Sequence, residues 1–232
     1  MKYKHIFFDL DHTLWDFDAN AKNTLQQLHL DLRLAERGID DFELFYTNYL
    51  LHNDKLWARY RKGFIKQEEL RVKRMWLCLL DFKIADDELA REMNDLFLQL
   101  LSTRTVLFPH TVEILQYLKD KKYYIHLITN GFEDVQHRKL ESSGIKAFFH
   151  EVVTSERSNS LKPNKEIFEF AMDKSGANIS DSIMIGDSLE VDIAGAINIG
   201  MDQVHANFRN EEDEKIKPTY TITSLRELEG IL

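Results

Sequence analysis

The sequence predicts an α/β protein with a doubly wound (Rossmann-like) parallel-sheet core and an inserted helical-bundle cap. Three observations predict it. An apolar, aromatic strand lies within Lys4–Leu10, where His-Ile-Phe-Phe is followed by Asp9. The stretch from about 19 to 103 has helical periodicity throughout. After Pro109, strand and helix patterns alternate at the spacing of βαβ units. The first strand is thus cut off from its partners by a helical insert. Residues 1–16 and 104–232 are expected to form the core, and 17–103 the cap.

The first strand is apolar at successive positions, as a strand covered on both faces must be. In the insert, Ala21, Leu25, Leu28 and Leu32 make one helical stripe, and Phe42, Phe45, Tyr49, Leu56 and Tyr60 a second. Val72, Met75, Trp76, Leu79 and Leu80 make a third, and Leu89, Met93, Leu96, Phe97 and Leu100 a fourth. Four stripes joined by short polar loops predict a bundle that buries its own core. Beyond Pro109, Val112, Leu115 and Leu118 mark a helix leading to a strand over Tyr123–Ile128. A polar helix near 134–143 stops at Gly144, suited to the residue after a helix end. The apolar run Phe148–Val153 precedes a helix over about 165–174, with Gly176 beyond it. Ser182–Ile185 reads as a strand, followed by a helix through Ile193 and Ile197. Short strands near 202–206 and 219–222 precede a last helix, where Ser224 and Glu227 make a capping box.

The chain has 232 residues, 44% hydrophobic, enough to bury a sizeable core. With 39 acidic against 30 basic residues the net charge is −9. That excludes the footprint of a nucleic-acid polymer binder or a polybasic membrane anchor. A phosphorylated substrate must then be held by local cations. The single cysteine, Cys78, excludes an internal disulfide framework and lies in an apolar helical run, so it reads as a buried structural thiol. Asp9 and Asp11 interrupt the apolar run Ile6–Leu14 too early for a signal peptide, and no run approaches the roughly 18 apolar residues of a membrane span. A cytoplasmic enzyme without membrane contact, monomeric or weakly homo-oligomeric, is expected.

Ligands of open parallel sheets bind beyond the carboxyl ends of the strands. Those ends carry Asp9-Leu10-Asp11-His12-Thr13, Thr129-Asn130-Gly131, and Gly186-Asp187-Ser188 with Asp192 one helical turn on. Leu161-Lys162-Pro163 precedes the helix at 165. This set suits phosphoryl transfer to a carboxylate. Phosphate monoesters hydrolyse very slowly, and a covalent aspartyl-phosphate splits the reaction into two easier steps. Asp9 and Asp187 are candidate metal ligands, and hard oxygen donors without Cys or clustered His select Mg²⁺. Lys162 can neutralise one phosphate oxygen, while Thr129 and the Asn130 amide hydrogen-bond another. Asp11 can protonate the leaving alkoxide and then deprotonate water.

These residues resemble those of the haloacid dehalogenase-like (HAD) hydrolases, over essentially the whole chain. The family motif DxDx[TV] matches Asp9, Asp11 and Thr13; the strand-end Ser or Thr matches Thr129; the lysine before a helix matches Lys162. GDSxxxD matches Gly186, Asp187, Ser188 and Asp192. The resemblance implies that Asp9 is the nucleophile and Asp11 the general acid/base, with the Asp11 backbone carbonyl on magnesium. It makes Asp187 a metal ligand and Asp192 one that acts from behind or through water. Ser188 is read equally well as a helix-capping serine. His12 stands where the family commonly has glycine, and Trp15 and Phe17 lie on the linker into the cap, suited to core or hinge packing. The helical insert resembles the family's small cap, which closes over substrate.

Asp11 favours a phosphatase or phosphomutase over a dehalogenase, because halide needs no proton as it leaves. A mutase would need a second phosphate site, for which Arg33, Lys62, Arg71 and Lys73 are candidates. The stretch Asp9–Phe17 with this cap looks most like the family's nucleoside-monophosphate phosphatases, which act on pyrimidine nucleotides. A small phosphorylated metabolite, a nucleotide, is therefore the expected substrate. The alternatives are a sugar-phosphate phosphatase or a β-phosphoglucomutase-like mutase. A phosphoacceptor receiver module shares the acidic pair, hydroxyl and lysine, but is about half this length and lacks a cap.

Overall fold

The structure is a computed structural model that describes residues 2–210, 213 and 215–232. The chain divides into two compact units, Met1–Phe17 with Thr105–Leu232, and Asp18–Arg104.

The first unit is built on six parallel strands: β1 (His5–Phe8), β2 (Tyr124–Thr129), β3 (Glu151–Thr154), β4 (Ser182–Gly186), β5 (Asp202–Ala206) and β6 (Tyr220–Ile222). Their order is β3-β2-β1-β4-β5-β6, so the winding reverses at β1. Phe8 is in register with Leu127 on one side and Ile185 on the other. That register brings the carboxyl ends of β1, β2 and β4 to one edge. Phe7, Ile128, Val153, Phe168, Met184 and Met201 meet in one core cluster. Burying each such side chain is worth roughly 1.5–3 kcal/mol.

Among the described residues, five α-helices of this unit follow the insert, from α5 (Thr111–Asp120) to α9 (Ala194–Asn198). Between them come α6 (Glu133–Ser142), α7 (Ser155–Ser158) and α8 (Lys165–Ser175). Two predicted helices differ in form. The one expected through Ile193 and Ile197 starts as a π-helical turn, Leu189–Ile193, and only then becomes α9. The last is a 3-10 helix, Leu225–Gly230, although its capping box forms: the Glu227 carboxylate accepts from Ser224 N at 2.8 Å. Of the apolar run Phe148–Val153, strand β3 takes only the part from Glu151, and Lys146–Phe148 forms a 3-10 turn.

The second unit contains α2 (Phe42–Arg61), α3 (Gln67–Asp81), α4 (Asp87–Leu101) and most of α1 (Phe17–Asp31). Asp41 and Asp86 cap α2 and α4, accepting from Leu44 N and Leu89 N. Phe45, Tyr49, Met75, Cys78, Leu79, Met93 and Phe97 are buried, and burial pushes the Cys78 thiol up. The third stripe is misread in part. Leu80 is 40% exposed, whereas Arg74 is buried at 2%. Leu80 lies five residues after Met75, about 140° around the helix, while Arg74 shares the face of Leu70 and Cys78. The Arg74 guanidinium donates to Asn53 and Asn94 at 3.4 Å and lies over the Phe97 ring. Among the described residues no helix is long and apolar enough to cross a membrane.

At the sheet's other end His126 is buried against Phe7, with His5 and His150 beside it. Burial first, and the two neighbouring rings second, push its pKa down to about 3. An unfolded histidine titrates near 6.5, so between these values the unfolded chain binds a proton that the folded chain does not. Stability therefore falls as pH drops through this window. His126→Phe is expected to lose less stability than the parent between about pH 7 and about pH 5, read from urea midpoints. Equal losses in the two proteins would show that His126 takes no part.

Candidate active site

The chain leaves β1 still paired with β4, since Asp9 N donates to Ile185 O at 2.9 Å. A tight turn follows, in which the amides of Thr13, Leu14 and Trp15 all point at Leu10 O. His12 occupies the left-handed region at φ 64°, the conformation that explains a glycine preference at this place. Asp9 is buried at 8%. Its Oδ1 lies 2.5 Å from the Lys162 ammonium, which also donates to Ile128 O at 2.6 Å and lies 2.7 Å from Asp192 Oδ1.

Lys162 is placed by Asn130. The Asn130 side-chain amide donates to Lys162 O at 2.9 Å, and its oxygen accepts from Lys162 N at 2.7 Å. The Asn130 side chain thus docks the lysine's loop against the end of β2, leaving only its backbone amide for a ligand. Thr129 is buried, and its Oγ1 accepts from Gly131 N at 3.0 Å and Gln136 Nε2 at 2.6 Å. Both bonds use the oxygen's lone pairs, so the hydroxyl proton remains to be donated.

Asp187 follows β4. Its carbonyl takes a bond from His205 at 3.0 Å, and its carboxylate one from Thr13 Oγ1 at 3.4 Å. Arg209 reaches to 3.9 Å. Ser188 caps the π-helical turn through Val191 N at 3.3 Å, and its own amide donates to Asp192 Oδ2 at 3.1 Å. A Cβ on Gly186 would overlap the Asp192 carboxyl group. The glycine therefore makes room for a buried acid. Trp15 is fully buried, which places it in packing rather than against a substrate base.

Asp9, Asp187 and Asp192 each offer a carboxylate oxygen within 4.8 Å of the others. Burial, then the charges of Asp192 and Asp9, raise the Asp187 pKa well above the usual carboxylate range. Burial pushes Asp9 up to about 7, with Lys162 opposing and Asp192 adding to the shift. Lys162 stays an ammonium: burial works against its charge, but Asp192 and Asp9 outweigh it. Three acids gathered on the Lys162 ammonium, with Arg209 only at the edge of Asp187, ionise at a cost that a hard cation would offset. The donor set, all carboxylate oxygen, fits a divalent ion of the magnesium type.

Asp11 lies outside this cluster. Lys139 Nζ sits 2.6 Å from its Oδ1, and Gln136 Nε2 donates to its Oδ2 at 2.9 Å. The sequence reading missed both residues of α6, since a lysine on a polar helix ordinarily reads as solvated. Their three-residue spacing on one helical face, directly after Thr129-Asn130-Gly131, is the signal that could have found them.

Residues 3–200 match the family model described as a haloacid dehalogenase-like hydrolase. The chain belongs to the haloacid dehalogenase-like hydrolases. Two of its relatives are named pyrimidine 5'-nucleotidases. YjjG of Escherichia coli is 34% identical over 100% of this chain and 99% of its own, and PynA of Streptococcus pneumoniae 31% over 98% and 94%. A glyceraldehyde 3-phosphate phosphatase of Methanothermobacter thermautotrophicus is 41% identical over 91% and 89%. The magnesium-bound crystal structure of the HAD-hydrolase YfnB of Bacillus subtilis superposes with a TM-score of 0.89 at 27% identity, covering 100% of this chain and 99% of that one.

Adding Mg²⁺ to the EDTA-treated protein is expected to raise its Tm by about 5–10 °C at a hundredfold excess over Kd. Asp187→Asn should lose most of that shift. An unchanged Tm at about 10 mM Mg²⁺, measured by scanning fluorimetry, would show that the cluster holds no cation.

Proposed function

We propose that this HAD enzyme is a Mg²⁺-dependent phosphomonoesterase that acts through a phosphoryl group on Asp9 and prefers pyrimidine nucleoside 5'-monophosphates. The observation that carries the reading is the division of labour between two acids two residues apart. Asp9 lies against Lys162 in a buried, anion-rich cluster, while Asp11 turns to the cation and amide of α6. A cation in the cluster together with Lys162 would hold Asp9 as the attacking anion, and Asp11, outside the cluster, is left to exchange the proton.

Magnesium held by Asp9, Asp187 and the Asp11 carbonyl, with Asp192 behind them, would offset the repulsion between an attacking carboxylate and a phosphate dianion. Lys162 supplies a second positive charge to the phosphate, and Thr129 Oγ1 and the Asn130 amide each donate a hydrogen bond to it. Asp9 forms the new O–P bond. Asp11 gives its proton to the leaving oxygen, then takes one from the water that hydrolyses the aspartyl-phosphate. A dehalogenase has no use for that second carboxyl group. The names of YjjG and PynA support the pyrimidine assignment, and that of the archaeal relative supports a triose phosphate as the competing substrate. The single buried cysteine and the acidic balance support a cytoplasmic enzyme acting on small metabolites.

A panel of UMP, dUMP, CMP, AMP, glyceraldehyde 3-phosphate and hexose phosphates, assayed for phosphate release with Mg²⁺, decides the substrate. Pyrimidine nucleotides should exceed the others in kcat/KM by about tenfold or more. Flat rates would refute the nucleotide assignment but leave the chemistry standing. Asp9→Asn should lose at least ~10³-fold in kcat on every substrate, and full turnover by that variant would sink the nucleophile assignment.

A further inference from the structure

Gln136 and Lys139 are buried on the inner face of α6, one turn apart. Between them they occupy both oxygens of Asp11. The Gln136 amide is shared with Thr129 Oγ1. Gly131 makes that reach possible, because a Cβ there would overlap the Gln136 side-chain amide. The Lys139 side chain is 3% exposed, and its ammonium lies 4.2 Å from the centre of the Trp15 ring. Burying an ammonium is costly, and a carboxylate with an aromatic face offsets the cost. An outward-turned lysine would be cheaper if α6 had only to cover the sheet.

We propose that Lys139 and Gln136 are positioning residues that hold Asp11 for proton transfer to the leaving oxygen. The inference rests on the reading of Asp11 as general acid. In the first half-reaction an Asp9 lone pair forms the O–P bond while the bond from phosphorus to the bridging oxygen breaks. The electron pair of the broken bond stays on that oxygen, which takes the proton of the Asp11 carboxyl group. Asp11 becomes an anion at that moment. The Lys139 ammonium and the Gln136 amide already face its two oxygens, so the new charge is stabilised without reorganisation. The same two bonds fix the rotation of the carboxyl group, keeping it in an attack-ready geometry.

The test compares leaving groups. UMP expels an alkoxide that needs a proton, whereas p-nitrophenyl phosphate expels a stable phenolate that does not. The ratio kcat/KM covers only steps up to cleavage of the P–O bond, so later hydrolysis does not enter. Lys139→Met is expected to lose about 10²-fold in kcat/KM on UMP and no more than about threefold on p-nitrophenyl phosphate. Lys139→Arg should recover part of the loss. Gln136→Met, which keeps the buried cation, should show the same selectivity at roughly tenfold, and it carries the test if Lys139→Met does not fold. Equal losses on both substrates would reduce the pair to structural support and overturn the inference. Asp11→Ala separates the two possible failures. If it shows no leaving-group selectivity, the acid assignment itself falls; if it does and the α6 variants do not, only the positioning role falls.

Discussion

Three carboxylates crowd around a single ammonium beneath the carboxyl edge of the sheet, and the rest of the structure is arranged to tolerate that charge. Burial, with the charge of Asp192 added to it, raises the cost of ionising Asp9 and Asp187 in a poorly polarisable interior. Lys162 relieves two of them directly. The backbone contributes as well: the Ser188 amide steadies Asp192, and Gly186 gives up its side chain so that the carboxyl group fits. A fold selected for stability alone would avoid such a cluster. Its all-carboxylate donor set is one that could hold a divalent cation.

Sheet topology gathers these groups. β1 is the middle strand of the winding, with β2 and β4 in register on either side, so the residues just past each strand end must emerge together. The insert of some 87 residues, Asp18–Arg104, separates the first acid from the others in sequence without disturbing that register. Hydrogen bonds between Asn130 and the Lys162 loop then fix the lysine's approach from the neighbouring crossover.

The second constraint is the difference in surroundings between Asp9 and Asp11. A turn with one residue in the left-handed region sends their side chains to separate partners. One joins the acid cluster of the strand ends, and the other joins α6. The proposed chemistry, with Asp9 attacking and Asp11 carrying the proton, would depend on keeping these two carboxyl groups electrically distinct.

Residue order alone determined the α/β class, the helical insert and the strand-end residues. A parallel sheet brings strand ends together wherever its strands are apolar and its crossovers are helical. Asp9 and Asp187 directly follow apolar strands, Thr129 ends one, Lys162 comes just before a helix and Asp192 lies one helical turn past Ser188, so residue order alone singles out these positions. The partners of Asp11 were not legible in it. Lys139 and Gln136 lie on a mostly polar helix whose apolar residues are Val135 and Leu140, and it is the turn after β1 that gives the two polar side chains partners inside. Arg74 in the insert was hidden for the same reason: its burial depends on Asn53, Asn94 and Phe97 arriving from other helices. Periodicity shows which apolar residues must leave water. Which polar ones can follow them depends on whether a partner waits inside, and that is decided only when distant segments meet.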